Sequence, residues 1–218
     1  AFAHEALLVG SEGKLSKRLC SLGADALRDA GIEPIALLAK LARIGTSLPV
    51  EPVTDPGPLI AGFDFATFGR APARFDMEEL AALNARIIHQ LAYDSAAPRL
   101  PAGMGAEAWA AIRPNLASVG EAAIWWSIVQ GPVAHRAAEQ DRPLLAQAAE
   151  IADGMDWAEN PWAALTGALK QASGRSGKSL FLPLRQALTG RDHGPDMAEL
   201  LPLIGEREAR ASPSRSVC

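Results

Sequence analysis

A short cationic run near the N-terminus carries side chains suited to phosphate chemistry. Lys14, Ser16, Lys17 and Arg18 follow the turn-forming residues 10–13. Lysine ammonium groups act as point charges on phosphate oxygens, and in a loop that closes over a nucleotide they stabilise the charge that builds on a leaving pyrophosphate. By composition alone such a run is more typical of a solvated surface loop. Its interpretation therefore depends on the residues around it.

Together with that run, Phe2-Ala3-His4 and Leu7-Leu8-Val9-Gly10 form a specific pattern. The pattern resembles the second signature of class I aminoacyl-tRNA synthetases, in the form that bacterial-type glutamate–tRNA ligases use. The resemblance implies catalytic roles for Lys17 and Lys14 in amino-acid activation. It also implies an ATP-binding loop whose members are Lys14, Ser16, Lys17 and Arg18.

Three later blocks resemble the same family in the same order. Residues 25–47 and 63–84 are similar to its stem-contact region, and residues 177–195 are similar to its anticodon-binding end. The resemblance implies that the chain is the C-terminal half of such a ligase. We expect an ATP-loop edge of the catalytic domain at 1–20, a stem-contact helical region at 21–97 and an anticodon-binding helical domain at 98–218, with about ten disordered residues at its end.

The periodicity of apolar residues predicts a mainly α-helical chain. Asp76 followed by Glu79 is a capping-box start, and Asn160-Pro161 is an N-cap with a proline in the first turn. The proline- and glycine-rich stretch 48–69 is predicted to be an extended connector, and the run 6–9 is too short to assign. Helices are predicted at 34–45, 76–87, 109–116, 119–129, 142–152, 161–171, 180–188 and 196–204.

Composition limits the possible functions. The net charge of −4 argues against a uniformly basic nucleic-acid coat, although a local basic groove remains compatible with it. Two cysteines are too few for a tetrahedral zinc site or a disulfide framework, and no apolar run approaches the roughly 20 residues of a membrane span. We expect a cytoplasmic protein that binds neither DNA nor membrane and has no metal site.

Several basic residues are candidates for RNA contacts. Arg70 and Arg74 fall in the block expected to face the acceptor stem. The candidates for the anticodon end are Arg113, Lys170, Arg175, Lys178, Arg185 and Arg191, of which Arg113, Arg175, Lys178 and Arg185 are the predicted tRNA contacts. Arginine can bond bidentately to base edges or stack on unpaired loop bases. The expected partner is tRNA(Glu), and the sequence leaves open whether tRNA(Gln) is also bound. The five tryptophans are expected in the core.

Two other interpretations stay open at this point. The chain could be a free-standing helical RNA-binding or adaptor module without catalysis. Alternatively, residues 172–179 fit a relaxed phosphate-loop pattern, which would suit a nucleotide-hydrolysing protein. A phosphate loop follows a strand, whereas residues 161–171 are predicted to be a helix, so we expect a linker that presents Arg175 and Lys178 to RNA.

The first signature of class I synthetases, His-x-Gly-His or a close variant, is absent from these residues. The resemblance implies a parent enzyme that attaches glutamate to tRNA with ATP and Mg. Glutamate would bind to the other half of that enzyme. We therefore expect this chain alone to hold no cofactor and to be inactive in glutamate adenylation.

Overall fold

Helices dominate the computed structural model, which describes residues 7–10, 23–133, 138–157 and 159–205, and the backbone alone at 13–14. The mainly α-helical fold class predicted from the sequence is confirmed. The strands are β1 (Leu8–Gly10), β2 (Gly13–Lys14) and β3 (Ala73–Arg74). The helices are α1 (Ala24–Asp29), α2 (Pro34–Leu41), α3 (Gly57–Ala61), α4 (Met77–Ile88), α5 (Tyr93–Ala96), α6 (Ala106–Ile112), α7 (Ala122–Gln130), α8 (Arg142–Gly154), α9 (Pro161–Ser173), α10 (Lys178–Thr189) and α11 (197–205).

The chain divides into two compact units. One comprises residues 1–100 and 116–121, and the other comprises residues 101–115 and 122–218. Each unit has an apolar core of its own. The first core contains Leu27, Ala36, Ala39, Leu59, Phe75, Leu80, Leu83 and Ile87. The second contains Leu144, Leu145, Ala148, Leu165, Leu169, Leu180, Leu184 and Ala187. The functional domains proposed from the sequence remain proposals.

A small sheet lies in the first unit, with strand order β2-β1-β3. Leu8 and Val9, from the run that the sequence left unassigned, lie in β1. Strand β1 pairs antiparallel with β2 and parallel with β3, with Leu8 opposite Ala73. Parallel strands need a long crossover, and here the crossover contains α1, α2 and α3. The sheet thereby joins the start of the chain to the residues that precede α4.

The connector between residues 48 and 69 is not wholly extended, so that prediction is wrong at α3 and at a 3₁₀ turn, Phe65–Thr67. Local hydrogen bonds explain both elements. The Asp55 side chain accepts the Gly57 N–H just before α3, and the Asp64 side chain accepts the Ala66 N–H. Short polar side chains of this kind stabilise turns and helix starts that apolar periodicity does not reveal.

Asn84 on α4 links three segments of the first unit. Its side chain is fully buried and accepts the Glu33 N–H at 2.8 Å. The amide donates to the carbonyls of Gly31, at 3.1 Å, and Ala117, at 2.8 Å. A buried side-chain amide needs such partners because an unpaired polar group in the core is costly. Asn84 therefore holds the turn before α2 and the segment 116–121 against α4.

The second unit is built largely from α8, α9 and α10, which surround its core. The Asn160 side chain caps α9 by accepting the Ala163 N–H at 3.1 Å, as the sequence predicts. Gly194 has a φ of +147°, and a Cβ atom built there would lie 2.0 Å from the Trp125 ring. Glycine is therefore required where the segment after α10 crosses this tryptophan.

Candidate nucleic-acid interface

The predicted ATP loop lies almost entirely outside the described residues. Ser16, Lys17 and Arg18 are not described, and Lys14 is described only by its backbone, which pairs with Val9. The neighbouring strand β1 is described and belongs to the sheet of the first unit. The catalytic and ATP-binding roles of these four residues stay predictions.

Arg70 and Arg74, the candidates for the acceptor-stem side, both lie close to the sheet of the first unit. Arg74 is on β3, and 66% of its side chain is exposed, with Nη2 at 3.9 Å from the Asp76 carboxylate. Arg70 is exposed in the segment before β3. Both cations can reach solvent, and their contact with RNA stays a prediction.

The helical hairpin of residues 160–191, which contains α9 and α10, has a charge unlike the rest of the chain. This segment has five basic residues and no Asp or Glu, although the whole chain has 25 acidic and 21 basic residues. The basic residues are Lys170, Arg175, Lys178, Arg185 and Arg191. Local positive charge of this kind favours phosphate binding even in an acidic protein.

Arg175 bonds within the protein. Its guanidinium pairs with the Asp141 carboxylate at 2.5 Å and donates to the carbonyls of Gln140, at 3.2 Å, and Ser179, at 3.5 Å. The Asp141 side chain is 11% exposed and the Arg175 side chain is 33% exposed. The pair joins the linker between α9 and α10 to the turn before α8. Arg175 thus has a structural role that the sequence did not reveal, and its contact with RNA stays a prediction.

The other predicted cations differ in how far they reach solvent. Lys178 begins α10 and is exposed, as is Lys170 in the last turn of α9. Arg113 is half-buried at the start of a 3₁₀ turn that follows α6. Arg191 lies over the Trp125 ring, with its guanidinium carbon 5.5 Å from the ring centroid. Lys170, Lys178 and Arg191 are therefore the exposed cations of the hairpin, and Arg191 already contacts a tryptophan ring.

Arg185 points part of its guanidinium into the second unit. Its Nη1 atom is buried without a hydrogen-bond partner among the described residues. Burial lowers the pKa of the Arg185 guanidinium, while the carboxylate of Asp196 opposes the shift. The residue remains cationic because the ordinary pKa of arginine is so high. An unpaired buried N–H donor of this kind is costly.

An exposed aromatic pair also lies on the hairpin, and sequence reasoning missed it. The rings of Trp162 and Phe181 have centroids 6.1 Å apart and are tilted by 39°. Phe181 is 45% exposed, and Trp162 is partly buried against the core of the second unit. Of the five tryptophans predicted in the core, Trp109 and Trp125 are buried, and the other three, Trp126, Trp157 and Trp162, are half-buried. The signal in the sequence was the spacing of Phe181 from the cations on α10.

The phosphate-loop alternative lacks the structure that it requires. Residues 172–179 begin in the last two residues of the helix α9, so a helix, as predicted, and not a strand precedes the loop. The backbone N–H groups of a phosphate loop converge on phosphate only between a strand and a helix. Within the described part of the chain, no group of three metal-ligating side chains occurs, and no helix is long and apolar enough to cross a membrane.

Comparison with known proteins identifies the family. Residues 128–211 match the anticodon binding domain family, and this range includes the whole basic hairpin. The chain is 69% identical over 209 residues to glutamate–tRNA ligase 1 of Rhizorhabdus wittichii, a match that covers 96% of this chain and 47% of the relative. It is 62% identical over 212 residues to glutamate–tRNA ligase 2 of Sphingopyxis alaskensis, covering 97% of this chain and 48% of that protein. This chain belongs to the glutamate–tRNA ligase family.

The family expected from the sequence is thus confirmed, and the chain spans about half the length of these glutamate–tRNA ligases. The fold is also shared. A crystal structure of a glutamate tRNA ligase from Elizabethkingia meningosepticum in complex with its amino acid matches 99% of this chain and 51% of that chain, with a TM-score of 0.79 at 19% identity. These relatives favour the ligase interpretation over the free-standing adaptor.

Proposed function

We propose that this chain is the C-terminal half of a cytoplasmic, ATP-dependent glutamate–tRNA ligase and that it binds tRNA(Glu) through the basic hairpin. The observation that carries the proposal is the concentration of cations in residues 160–191, inside the range that matches the anticodon binding domain family. Phosphate neutralisation by lysine and arginine supplies much of the affinity for nucleic acid. The hairpin offers that charge where the rest of the chain is acidic.

The two units would then divide the work. The first would hold the ATP loop (Lys14, Ser16, Lys17 and Arg18) and, with Arg70 and Arg74, face the acceptor side of the tRNA. Lys17 and Lys14 would stabilise charge on the leaving pyrophosphate while ATP and Mg are bound to the whole enzyme. The second unit would bind the anticodon end through Lys178 and Arg185, with Arg113 as a further candidate; Arg175 would join them only on leaving the Asp141 carboxylate.

The specificity of this binding rests on few side chains. Lys178 is a point charge that suits phosphate, which does not distinguish one RNA from another. Arg185 has a planar guanidinium, which can bond bidentately to a base edge or stack on an unpaired base. Either tRNA(Glu) alone or both tRNA(Glu) and tRNA(Gln) would satisfy these features.

Nuclease footprinting of tRNA(Glu) bound to this chain tests the proposal. We expect protection of the anticodon loop by the wild-type chain and weaker protection when Arg185 is replaced by Lys, which keeps the charge and loses the planar fork. An unprotected anticodon loop would contradict the proposal.

A pyrophosphate-exchange assay tests the division between the two halves. We expect no glutamate-dependent exchange by this chain alone, because glutamate would bind to the other half of the enzyme. Exchange above a blank without glutamate would contradict that assignment.

A further inference from the structure

The aromatic pair of the hairpin has an open face. Phe181 is 45% exposed, and its ring packs against the Trp162 ring, with the two centroids 6.1 Å apart. Trp162 packs in turn against the core of the second unit. The exposed ring is therefore supported from behind by a residue anchored in the core. A flat aromatic surface held in this way loses little conformational freedom when a ligand stacks on it.

Cations flank this pair along α10. Lys178 lies three residues before Phe181, and Arg185 lies four residues after it. Residues at these spacings lie side by side on a helix surface. No carboxylate occurs within residues 160–191, and the carboxylate of Asp196 acts on Arg185. An aromatic surface bordered by positive charge is complementary to a nucleobase together with its phosphates.

We propose that Trp162 and Phe181 form a stacking platform for one unpaired base of an RNA loop, with Lys178 on the adjacent phosphate. This inference rests on the proposed function and adds to it a base contact outside the predicted RNA-binding residues. The positive charge favours RNA over a protein as the partner, because a protein that covered Phe181 would have to neutralise the cations on both sides of this residue. Double-stranded RNA does not qualify, because its bases are already stacked.

Fluorescence anisotropy with the whole chain tests the platform. The probes are a labelled stem–loop with the anticodon loop of tRNA(Glu) and a fully paired duplex with the same stem. For Phe181→Leu we expect about tenfold weaker binding to the stem–loop and unchanged binding to the duplex. Phe181→Tyr keeps the ring and should bind within about twofold of the wild type. The matched control is Phe65→Leu, which changes a 59% exposed phenylalanine of the first unit and should alter neither affinity.

The outcomes separate the platform from the proposed function. Wild-type affinity of Phe181→Leu for the stem–loop, or an equal loss on both probes, would overturn the platform and leave the proposed function standing. If the wild-type chain bound neither probe, the proposed function would fail, and the platform with it. Circular dichroism of each variant shows whether the helices are intact.

A second measurement uses only the wild-type chain, so it does not depend on the folding of a variant. A stem–loop with 4-thiouridine in its loop is irradiated in complex with the protein. We expect the crosslinked peptides to include Trp162 or Phe181. Crosslinks confined to other segments would overturn the platform.

Discussion

Arg175 and Lys178 are cations three residues apart, and the structure predicts opposite consequences for their loss. Arg175 is bonded to Asp141 and to two backbone carbonyls, whereas Lys178 is exposed at the start of α10. Replacing either residue by alanine removes one positive charge. The pair of variants therefore separates a structural cation from a phosphate-binding one at equal net charge.

For Arg175→Ala we expect a loss of stability. The Asp141 carboxylate, 11% exposed, would be left without its partner. Breaking a buried ion pair costs about 3–5 kcal/mol, and an exposed pair is worth less than about 1 kcal/mol. Since the Arg175 side chain is 33% exposed, an intermediate loss of about 2–3 kcal/mol is expected. Lys178→Ala should change the free energy of unfolding by less than about 0.5 kcal/mol.

For RNA binding we expect the opposite result, since Lys178→Ala should weaken binding and Arg175→Ala should not. One phosphate contact contributes about 0.7–0.9 to the slope of log Kobs against log salt concentration. By that counterion-release term alone, its loss in Lys178→Ala weakens binding about fivefold at roughly 0.15 M salt and about tenfold at roughly 0.05 M. Folded Arg175→Ala should keep the wild-type slope, and Lys178→Arg should restore it.

Urea unfolding followed by circular dichroism and anisotropy of labelled tRNA(Glu) across a salt series measure the two quantities. The reasoning would be refuted if Arg175→Ala unfolded like the wild type and lost slope in the way expected of Lys178→Ala. That result would mean that Arg175 leaves Asp141 to contact RNA. It would also be refuted if Lys178→Ala kept the full wild-type slope.

Three further variants test the packing that supports the two units, each by urea unfolding. Asn84→Ala should destabilise the first unit by about 3 kcal/mol, because it leaves a buried N–H and two carbonyls unpaired. The control is Asn115→Ala, which changes an exposed residue and should have no effect. A loss below about 1 kcal/mol for Asn84→Ala would contradict this prediction. Asp76→Ala removes the N-cap of α4 and should cost about 1 kcal/mol, so wild-type stability would exclude the cap as a contributor. Gly194→Ala would put a Cβ 2.0 Å from the Trp125 ring and should cost about 2 kcal/mol or more in the second unit; a neutral result would show that the ring can move aside.

Helix starts were predictable from the sequence because their signals are local. Asp76 accepts the N–H groups of Glu78 and Glu79, as its position before an apolar repeat indicated. The capping-box prediction fails in its second part, since the Glu79 carboxylate pairs with Lys40. Lys40 is 39 residues away and buried, so no local pattern could reveal the pair.

The sequence predicted which basic residues belong to the candidate site, but not which groups of the protein they contact. The sequence placed cations around α9 and α10, but it could not show that Arg175 is tied to Asp141, 34 residues earlier. Nor could it show that Trp162, read as a core residue from its helical spacing, supports an exposed Phe181. Such pairings depend on how helices pack, which the apolar period of one helix does not determine.

Binding of tRNA(Glu) to this chain between about 50 and 200 mM salt, with an unrelated tRNA as control, tests the central claim most directly. Lys170, Lys178 and Arg191 are the exposed cations of the hairpin, and Arg191 lies over the Trp125 ring. We expect preferential binding of tRNA(Glu) and a slope of about −1.5 or steeper, which corresponds to two or more phosphate contacts. Equal affinity for both tRNAs, or no binding at the lowest salt, would contradict the claim that this half of the ligase recognises its tRNA.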